Sequence, residues 1–246
     1  MTAPALTLTD LTTLEDDPAL LAATYERVLR PSFTLDELPG PEGVQPNGGH
    51  VLTVARDASG EPVGAAFCEL DPDGVSLLEY LAVSPASRGL GAGGALLAHL
   101  RELWRARGCG LVLAEVHDPR GHAEDTDEHP EARLRFYGRA GAEVLDAPWV
   151  QPALGPRGER VPDMLLLVMH RPDGDGDAEA DAEPTVPSAP VLAWARDYFE
   201  VCEGHAPTDA AQDPRGVALL DRIGAAPALR VLPLARWREV APLALD

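Results

Sequence analysis

The sequence predicts a mixed α/β domain followed by a small, mainly helical extension. Strand-like runs and helical patterns alternate over residues 1–171, which is typical of an α/β domain. A glycine-rich turn joins one apparent strand directly to one apparent helix. An acidic, proline-rich stretch then separates this region from the last part of the chain. A chain of 246 residues is long enough to bury a substantial core.

The first half of residues 1–171 reads as helix, hairpin and third strand. Apolar side chains at helical spacing predict a helix over residues 16–30, which ends before Pro31. The runs HVLTVARD and EPVGAAFCEL flank the turn Asp57–Gly60 and predict a hairpin. The strand VSLLEYLAV follows and leads into the glycine-rich turn.

The second half of residues 1–171 alternates helices with strands. A helix over residues 93–107 ends at Gly108, and the apolar run GLVLAEV predicts a strand covered on both faces. Pro130 is the expected first residue of a helix that ends at Gly141. Two more strands, AEVLDAPWV and VPDMLLLVMH, complete the domain.

The rest of the chain is predicted to form a linker and an extension. Residues 172–190, PDGDGDAEADAEPTVPSAP, are acidic and rich in proline, which indicates a solvated linker or a long loop. Residues 191–246 contain two helical patterns and an apparent strand. Because so short a unit is marginally stable alone, we expect it to pack on residues 1–171 or on a second copy of the chain.

Composition and charge exclude several classes of partner. A net charge of -20, with arginine but no lysine, argues against nucleic acid. The acidic field could attract cationic substrates, but a solubility or codon-usage effect is the better explanation of the composition. No run approaches the ~20 apolar residues of a membrane span, and no signal peptide is recognised at the first residues. Three cysteines without metal or disulfide spacing favour a reducing cytoplasm.

The stretch SRGLGAGGALL, residues 87–97, indicates a site for a pyrophosphate. Free backbone N–H groups at a helix start converge on one spot, and glycine lets a ligand approach them closely. Arg88 can add a charged donor or pair with a nearby acid. A Walker loop is excluded because it needs lysine, and the glycines do not follow the first strand of a βαβ unit as a dinucleotide fingerprint would.

Two motifs resemble those of the GNAT N-acetyltransferases. Arg88, Gly91 and Gly93 match R-x-x-G-x-G after a strand that ends Leu-Ala-Val-Ser-Pro at residues 81–85. The run Leu-Arg-Phe-Tyr at residues 134–137, with Gly141 beyond it, resembles a second helix of the family. The resemblance covers residues 1–171 and implies a mixed, mostly antiparallel sheet flanked by helices.

The resemblance implies that acetyl-CoA binds as co-substrate in a cleft beside the strand that carries residues 81–83. Backbone groups of this strand would hold the pantetheine arm, and N–H groups of the glycine-rich turn would hold the pyrophosphate. The residues implied are Leu81, Ala82, Val83, Arg88, Gly89, Leu90, Gly91, Ala92, Gly93 and Gly94. No metal is implied.

The resemblance also implies two catalytic residues. Tyr137 matches a tyrosine near the coenzyme sulfur, and a phenol with a pKa of ~10 can donate a proton at neutral pH. Glu79 lies where relatives often carry a base, and Glu115 on the neighbouring strand is an alternative. A core tyrosine and a solvated glutamate remain the structural alternatives.

Three positions depart from the family pattern. Pro130 and Arg133 stand where relatives often have asparagine and a small residue, and Ala142 replaces the usual aromatic residue. These changes put side-chain contacts from this helix to the coenzyme in doubt.

Other polar and aromatic residues carry no firm role. The loop HDPRGHAEDTDEH, with His117, His122 and His129, has no metal spacing and is expected to be a solvated acidic loop. Trp149, Gln151 and, nearer the start of the chain, Phe33 could line an acceptor pocket or simply pack.

The leading hypothesis is an enzyme that transfers acetyl from acetyl-CoA to a primary amine by direct attack. The acceptor, a small molecule or a peptide, is not identified by the sequence. The first alternative is a non-catalytic acyl-CoA-binding or regulatory module of the same fold. The second is an assembly role for residues 191–246, for instance in a homodimer.

Overall fold

The computed structural model describes residues 6–34, 37–38, 40–122, 129–154, 158–172 and 183–243. The chain divides into two compact units, residues 1–110 and 111–246. Within each unit, every strand pair described is antiparallel, and helices flank the strands. The prediction of an α/β fold with a mostly antiparallel sheet flanked by helices is confirmed.

The first unit contains a four-stranded meander and two α-helices. Its elements are β1 (Thr7–Leu11), α1 (Pro18–Thr24), β2 (His50–Arg56), β3 (Pro62–Glu69), β4 (Val75–Val83) and α2 (Ala92–Arg107). Each strand pairs with the next along the chain, so the order is β1-β2-β3-β4. The sequence predicted β2 to β4 but missed β1. The helix predicted over residues 16–30 is α1 followed by a π-helical turn, Tyr25–Leu29.

Local sequence explains where the helices of the first unit begin and end. The carboxylate of Asp17 accepts a hydrogen bond from the Leu20 N–H at 2.9 Å and so caps α1. Helix α2 buries Leu96, Leu97, Leu100 and Trp104, and it packs against β2 and β3. It ends at Gly108, whose φ of 72° is a left-handed value that glycine adopts without strain.

The second unit contains five strands and three α-helices. Its elements are β5 (Leu111–His117), α3 (Pro130–Arg139), β6 (Glu143–Gln151), β7 (Val161–His170), β8 (Thr185–Pro187), α4 (Ser188–Glu203), α5 (Pro214–Gly224) and β9 (Ala228–Pro233). A 3-10 helix, Leu234–Glu239, follows β9. The pairings place β7 between β5 and β6, and β9 between β6 and β8.

The predicted extension contributes a strand to the sheet of the second unit. Strand β9 pairs with β6, with Leu145 opposite Val231, while α5 packs on β6 and α4 packs on α5. Of the predicted linker, residues 173–182 lie outside the described part of the chain. Strand β8 and the start of α4 occupy its last residues. The boundaries 1–171, 172–190 and 191–246 stay a prediction.

Among the described residues, no helix combines the length and the apolar character that crossing a membrane requires.

Candidate active site

The glycine-rich turn begins where β4 ends. Residues 81–83 pair with β3, with Leu81 opposite Ala66 and Val83 opposite Gly64. A short 3-10 turn, Pro85–Ser87, then leads to the exposed side chain of Arg88. The strand end and the turn are therefore consecutive parts of one surface.

Two glycines of this turn adopt a conformation that other residues rarely take. Gly89 has φ of 78° and Gly91 has φ of 90°, both in the left-handed region. A Cβ added at either position would meet no atom of the described part of the chain within 4 Å. The backbone conformation explains these two glycines, and the open space in front of them leaves room for a ligand.

Gly94 needs a different explanation. It lies in the first turn of α2, outside the left-handed region, and a Cβ there would also meet nothing within 4 Å. Glycine in a helix costs up to about 1 kcal/mol relative to alanine. Neither the backbone conformation nor the packing of the described residues requires that cost, whereas close approach of a ligand would.

The start of α2 presents free N–H groups. Its first intrahelical bond runs from the Ala95 N–H to the Gly91 carbonyl at 3.0 Å, so the N–H groups of Ala92, Gly93 and Gly94 precede that ladder. Among the described residues, no side chain caps this helix start with a hydrogen bond. Because α2 is 16 residues long, the positive end of its dipole adds to these donors. The arrangement suits a bound phosphate or pyrophosphate.

Glu79 is the extra residue of a β-bulge in β4. Tyr80 lies opposite Phe67 of β3 and Leu78 lies opposite Cys68. No residue of β3 therefore lies opposite Glu79 in the sheet register. A bulge redirects a side chain locally. The Oε1 atom of Glu79 lies 3.4 Å from Nε2 of His50, yet within the described residues no hydrogen bond of good geometry reaches this buried oxygen.

His50 was not singled out from the sequence, but the structure places it against Glu79. Its ring stacks on Phe67, with centroids 5.4 Å apart, and its Nδ1 lies 3.2 Å from Oδ1 of Asn47. The Glu79 carboxylate raises the pKa of His50, although partial burial of the imidazole opposes this effect. The sequence signal was the turn Asn-Gly-Gly-His immediately before a strand, which holds the histidine at the strand start.

Glu69 and two aromatic residues extend this group. Glu69 lies opposite His50 across β2 and β3, and burial raises the pKa of its carboxyl. Phe33 packs edge-on against Tyr80 at 5.0 Å, and the Tyr80 hydroxyl donates to the Glu37 carbonyl at 2.8 Å. The packing role that the sequence left open for Phe33 is therefore seen in the structure.

Tyr137 lies in α3 of the second unit. Pro130 begins this helix, as predicted, and Tyr137 is only 9% exposed. Burial raises the pKa of the Tyr137 phenol, while the nearby charge of Arg133 lowers it by less. The phenol therefore stays protonated at neutral pH, which is the state that a proton donor needs.

Glu115 is occupied by hydrogen bonds within the second unit. Its carboxylate accepts from Trp149 Nε1 at 2.5 Å, from Gln151 Nε2 at 2.8 Å and from the Tyr198 hydroxyl at 3.0 Å. Trp149 is 1% exposed and stacks against Trp194. These contacts favour a structural role for Glu115 over that of the base, and they favour packing for Trp149.

The histidine-containing loop is only partly described, because residues 123–128 lie outside the described part. The rings of His117 and His122 lie 4.0 Å apart. In the described residues, no group of three or more histidine, cysteine, aspartate or glutamate side chains could hold a metal ion.

Comparison with known proteins identifies the family. The model of the acetyltransferase (GNAT) family matches residues 17–141. Mycothiol acetyltransferase from Stackebrandtia nassauensis is 34% identical over 143 residues, which cover 57% of this chain and 37% of that protein. The chain thus spans little more than a third of the length of this curated relative.

A solved structure supports the fold. A protein assigned to the GNAT family of acetyltransferases from Bacteroides thetaiotaomicron matches with a TM-score of 0.52 and 23% identity, over 70% of this chain and 90% of that one. The chain belongs to the GNAT family of acetyltransferases, as its two motifs predicted. Acetyltransferases of this family use acetyl-CoA as co-substrate.

Proposed function

We propose that the chain transfers an acetyl group from acetyl-CoA to a primary amine by direct attack, without an acyl-enzyme. The observation that carries this proposal is the uncapped start of α2 behind a glycine-rich turn, in a chain of the acetyltransferase family. Gly94 supports it in particular, because no feature of the described chain requires glycine there.

The coenzyme would be held mainly by backbone groups. The N–H groups from Gly89 to Gly94 bind the pyrophosphate, and Arg88 supplies a charged donor. The backbone of Leu81, Ala82 and Val83 holds the pantetheine arm in the way a strand edge holds a peptide. Backbone recognition explains why the departures at Pro130, Arg133 and Ala142 leave the coenzyme assignment intact.

The reaction needs a neutral amine, stabilisation of the developing oxyanion and a proton for the leaving thiolate. We assign the base to Glu79, whose buried Oε1 accepts no hydrogen bond of good geometry among the described residues. We assign the acid to Tyr137, because its buried phenol remains protonated. The neutral amine nitrogen then attacks the thioester carbonyl, and the carbon–sulfur bond breaks as the thiolate takes the proton of the phenol. The nitrogen loses its remaining extra proton to solvent as the amide forms, and the phenolate regains a proton from solvent.

Replacing Tyr137 with phenylalanine tests the acid. We expect kcat to fall roughly 100-fold, within the range of about 10²–10⁴ for a proton-transfer group, while the Kd for acetyl-CoA stays unchanged. An assay of thiol release gives kcat, and calorimetry gives the Kd for acetyl-CoA. Tyr198→Phe is the matched control, because it removes a hydroxyl that donates to Glu115 and is expected to leave kcat within two-fold. If Tyr137→Phe and Tyr198→Phe have the same kcat, the acid role of Tyr137 is excluded.

The activity itself is tested by thiol release from acetyl-CoA in the presence of a panel of amines. Release with at least one amine, confirmed by mass spectrometry of the acetylated product, is the expected result. Tight coenzyme binding with no release for any amine, together with a Tyr137→Phe variant that behaves like wild type, would instead establish the non-catalytic binding module.

The acceptor, the partners and the compartment are part of the same proposal. We include small-molecule and peptide amines in the panel, together with the acceptor implied by the name of the mycothiol acetyltransferase relative. A reducing cytoplasm suits three cysteines whose positions in the sequence match no disulfide spacing. Because β9 pairs with β6, deleting residues 191–246 would disturb the sheet, so light scattering of the full chain is the better test for a homodimer.

A further inference from the structure

The turn before β2 fixes which nitrogen of His50 carries a proton. Asn47 Oδ1 accepts the Gly49 N–H at 2.9 Å, and Asn47 Nδ2 donates to the Gln45 carbonyl at 3.4 Å, so the oxygen of this amide is the atom that faces His50. His50 Nδ1 lies 3.2 Å from that oxygen and must therefore be an N–H donor. The neutral imidazole then has its lone pair on Nε2.

That lone pair faces a carboxylate. Nε2 of His50 lies 3.4 Å from Oε1 of Glu79, and two acceptors at this distance repel each other unless one of them takes up a proton. Glu69, opposite His50 on β3, adds negative charge to the same side, and Asp71 in turn acts on Glu69. The described charges around His50 are therefore acidic, and they favour the imidazolium.

We propose that His50 is the positioning residue of the acetyl-transfer reaction, and that the pair of Glu79 and His50 takes up the proton of the acceptor amine on Nε2. The proposal rests on the proposed function. The substrate N–H bond breaks as the ammonium gives its proton to the Glu79 carboxylate, and an Nε2–H bond forms as the proton passes to His50. The amine becomes neutral, Glu79 remains a carboxylate, and the imidazolium later loses the proton to water.

The advantage of the pair is a base whose pKa lies closer to the operating pH. An isolated glutamate has a pKa of about 4.3, whereas an unperturbed histidine has a pKa of about 6.5. Glu79 raises the pKa of His50 above that ordinary value. A base whose pKa lies nearer the operating pH transfers protons more effectively, so the pair accepts the ammonium proton more readily than Glu79 alone.

Stacking on Phe67 holds the His50 ring in place beside Glu79. The His50 ring lies nearly parallel to Phe67, at an interplanar angle of 17°, and Phe67 is 3% exposed. The side chain of His50 keeps 31% of its surface in solvent, which gives the imidazolium a route to release the proton. Both features belong to a group that exchanges a proton repeatedly from one fixed position.

The first test is an NMR titration of the histidines in the full chain. We expect neutral His50 to carry its proton on Nδ1 and to titrate above about 6.5, the unperturbed value. In Glu79→Gln its pKa should fall, because the paired carboxylate is gone, and in Asn47→Ala the neutral ring should become a mixture of tautomers. A neutral His50 with its proton on Nε2 would overturn the proposal without reference to activity.

The second test is the pH profile of kcat/KM with one amine. The acidic limb should match the pKa of His50 from NMR, since activity is lost once the pair is protonated. In His50→Gln the limb should move to lower pH and the plateau should fall roughly ten-fold, because Glu79 then acts alone. His99→Gln is the matched control, because His99 also meets a carboxylate, Asp10 at 2.9 Å, but lies on α2.

The outcomes separate the two proposals. An active His50→Gln variant with an unchanged limb overturns the role of His50 and leaves the proposed function standing. Absence of acetyl transfer from every amine overturns both. If His50→Gln does not fold, the pH profile of kcat/KM is measured with Asn47→Ala instead. If NMR then reports mixed tautomers of His50 but the acidic limb of that profile is unchanged, the proposal is overturned.

Discussion

The Gly94→Asp variant is expected to lose at least about 100-fold in affinity for acetyl-CoA, which corresponds to ~2.7 kcal/mol. The new carboxylate would stand at the N–H groups that we assign to the pyrophosphate, and like charges a few ångströms apart near a surface repel by up to about 4 kcal/mol. The described part of the chain has room for the side chain, since a Cβ at this position meets none of its atoms within 4 Å.

The stability of Gly94→Asp should not fall. An acidic residue in the first turn of a helix interacts favourably with the helix dipole, by about 0.3–1 kcal/mol, and replacing glycine removes an entropic cost. The variant therefore separates binding from folding, which few substitutions in a binding turn can do. Calorimetry gives the affinity, and thermal unfolding gives the stability.

Two control variants separate charge from size. Gly94→Ala adds a methyl group without charge, so its loss of affinity measures the close approach of the ligand alone and should be smaller than the loss in Gly94→Asp. Ala98→Asp adds the same charge one helical turn farther on, at an exposed position, and should weaken binding only slightly. Equal losses in Ala98→Asp and Gly94→Asp would mean that net charge, and not the helix start, governs binding.

The Arg160→Met variant is expected to destabilise the second unit by up to about 3 kcal/mol, because removing the shared partner of two partly buried carboxylates leaves uncompensated charge. The guanidinium of Arg160 donates to Glu203 at 2.6 Å and to Asp213 at 2.6 Å. These side chains keep only 24%, 10% and 18% of their surfaces exposed, respectively. The guanidinium also lies over the ring of Phe199, at 4.8 Å.

Arg160 and its two carboxylate partners lie in different parts of the chain, which explains the size of the destabilisation expected in Arg160→Met. Arg160 immediately precedes β7, whereas Glu203 ends α4 and Asp213 caps α5 by accepting the Gly216 N–H. A single side chain therefore joins the predicted extension to a strand of residues 1–171. We expect the Tm to fall by on the order of 10 °C in thermal unfolding. Arg236→Met, which removes exposed ion pairs with Glu183 and Glu239, should lower the Tm far less, because solvent screens these charges.

The pH dependence provides an independent check on Arg160. The pKa of Asp213 is lowered by the hydrogen bond from Arg160, and that of Glu203 is lowered because its hydrogen bonds outweigh the opposing effect of burial. Groups with a lowered pKa in the folded state stabilise it above their ordinary values, about 4–4.5, and lose this contribution as the pH falls. Wild type should therefore lose stability more steeply than Arg160→Met below about pH 4.5. Parallel curves would contradict the assignment.

Much of the architecture follows from local sequence. Periodicity predicted β2 to β7 and the three main helices of residues 1–171, because apolar spacing directly reflects burial on one face. Pro130 and Gly108 mark a helix start and a helix end, since their backbone preferences act without neighbours. The short strands β1 and β8 were missed, because five and three residues carry too little pattern.

The residues of the candidate site also fall into those that the sequence predicted and those that it did not. The glycine-rich turn was predicted from its own residues and Tyr137 from the resemblance to the GNAT family, because both belong to motifs that are local in the chain. His50 was not found, since its contact with Glu79 joins residues 29 positions apart through β-sheet register and a bulge. Glu115 could not be assigned from sequence either, because one of its donors, Tyr198, lies 83 positions away.

The sequence by itself determined the family, because its two motifs resemble those of the GNAT acetyltransferases and motifs are local in the chain. It also predicted the turn that would hold the coenzyme, because glycine keeps its backbone preferences wherever it stands. Only the tertiary structure decided which groups lie beside His50, the engagement of Glu115 and the attachment of the extension through β9 and Arg160. Those properties depend on distances between atoms that are far apart in the chain, and folding alone brings such atoms within hydrogen-bonding range.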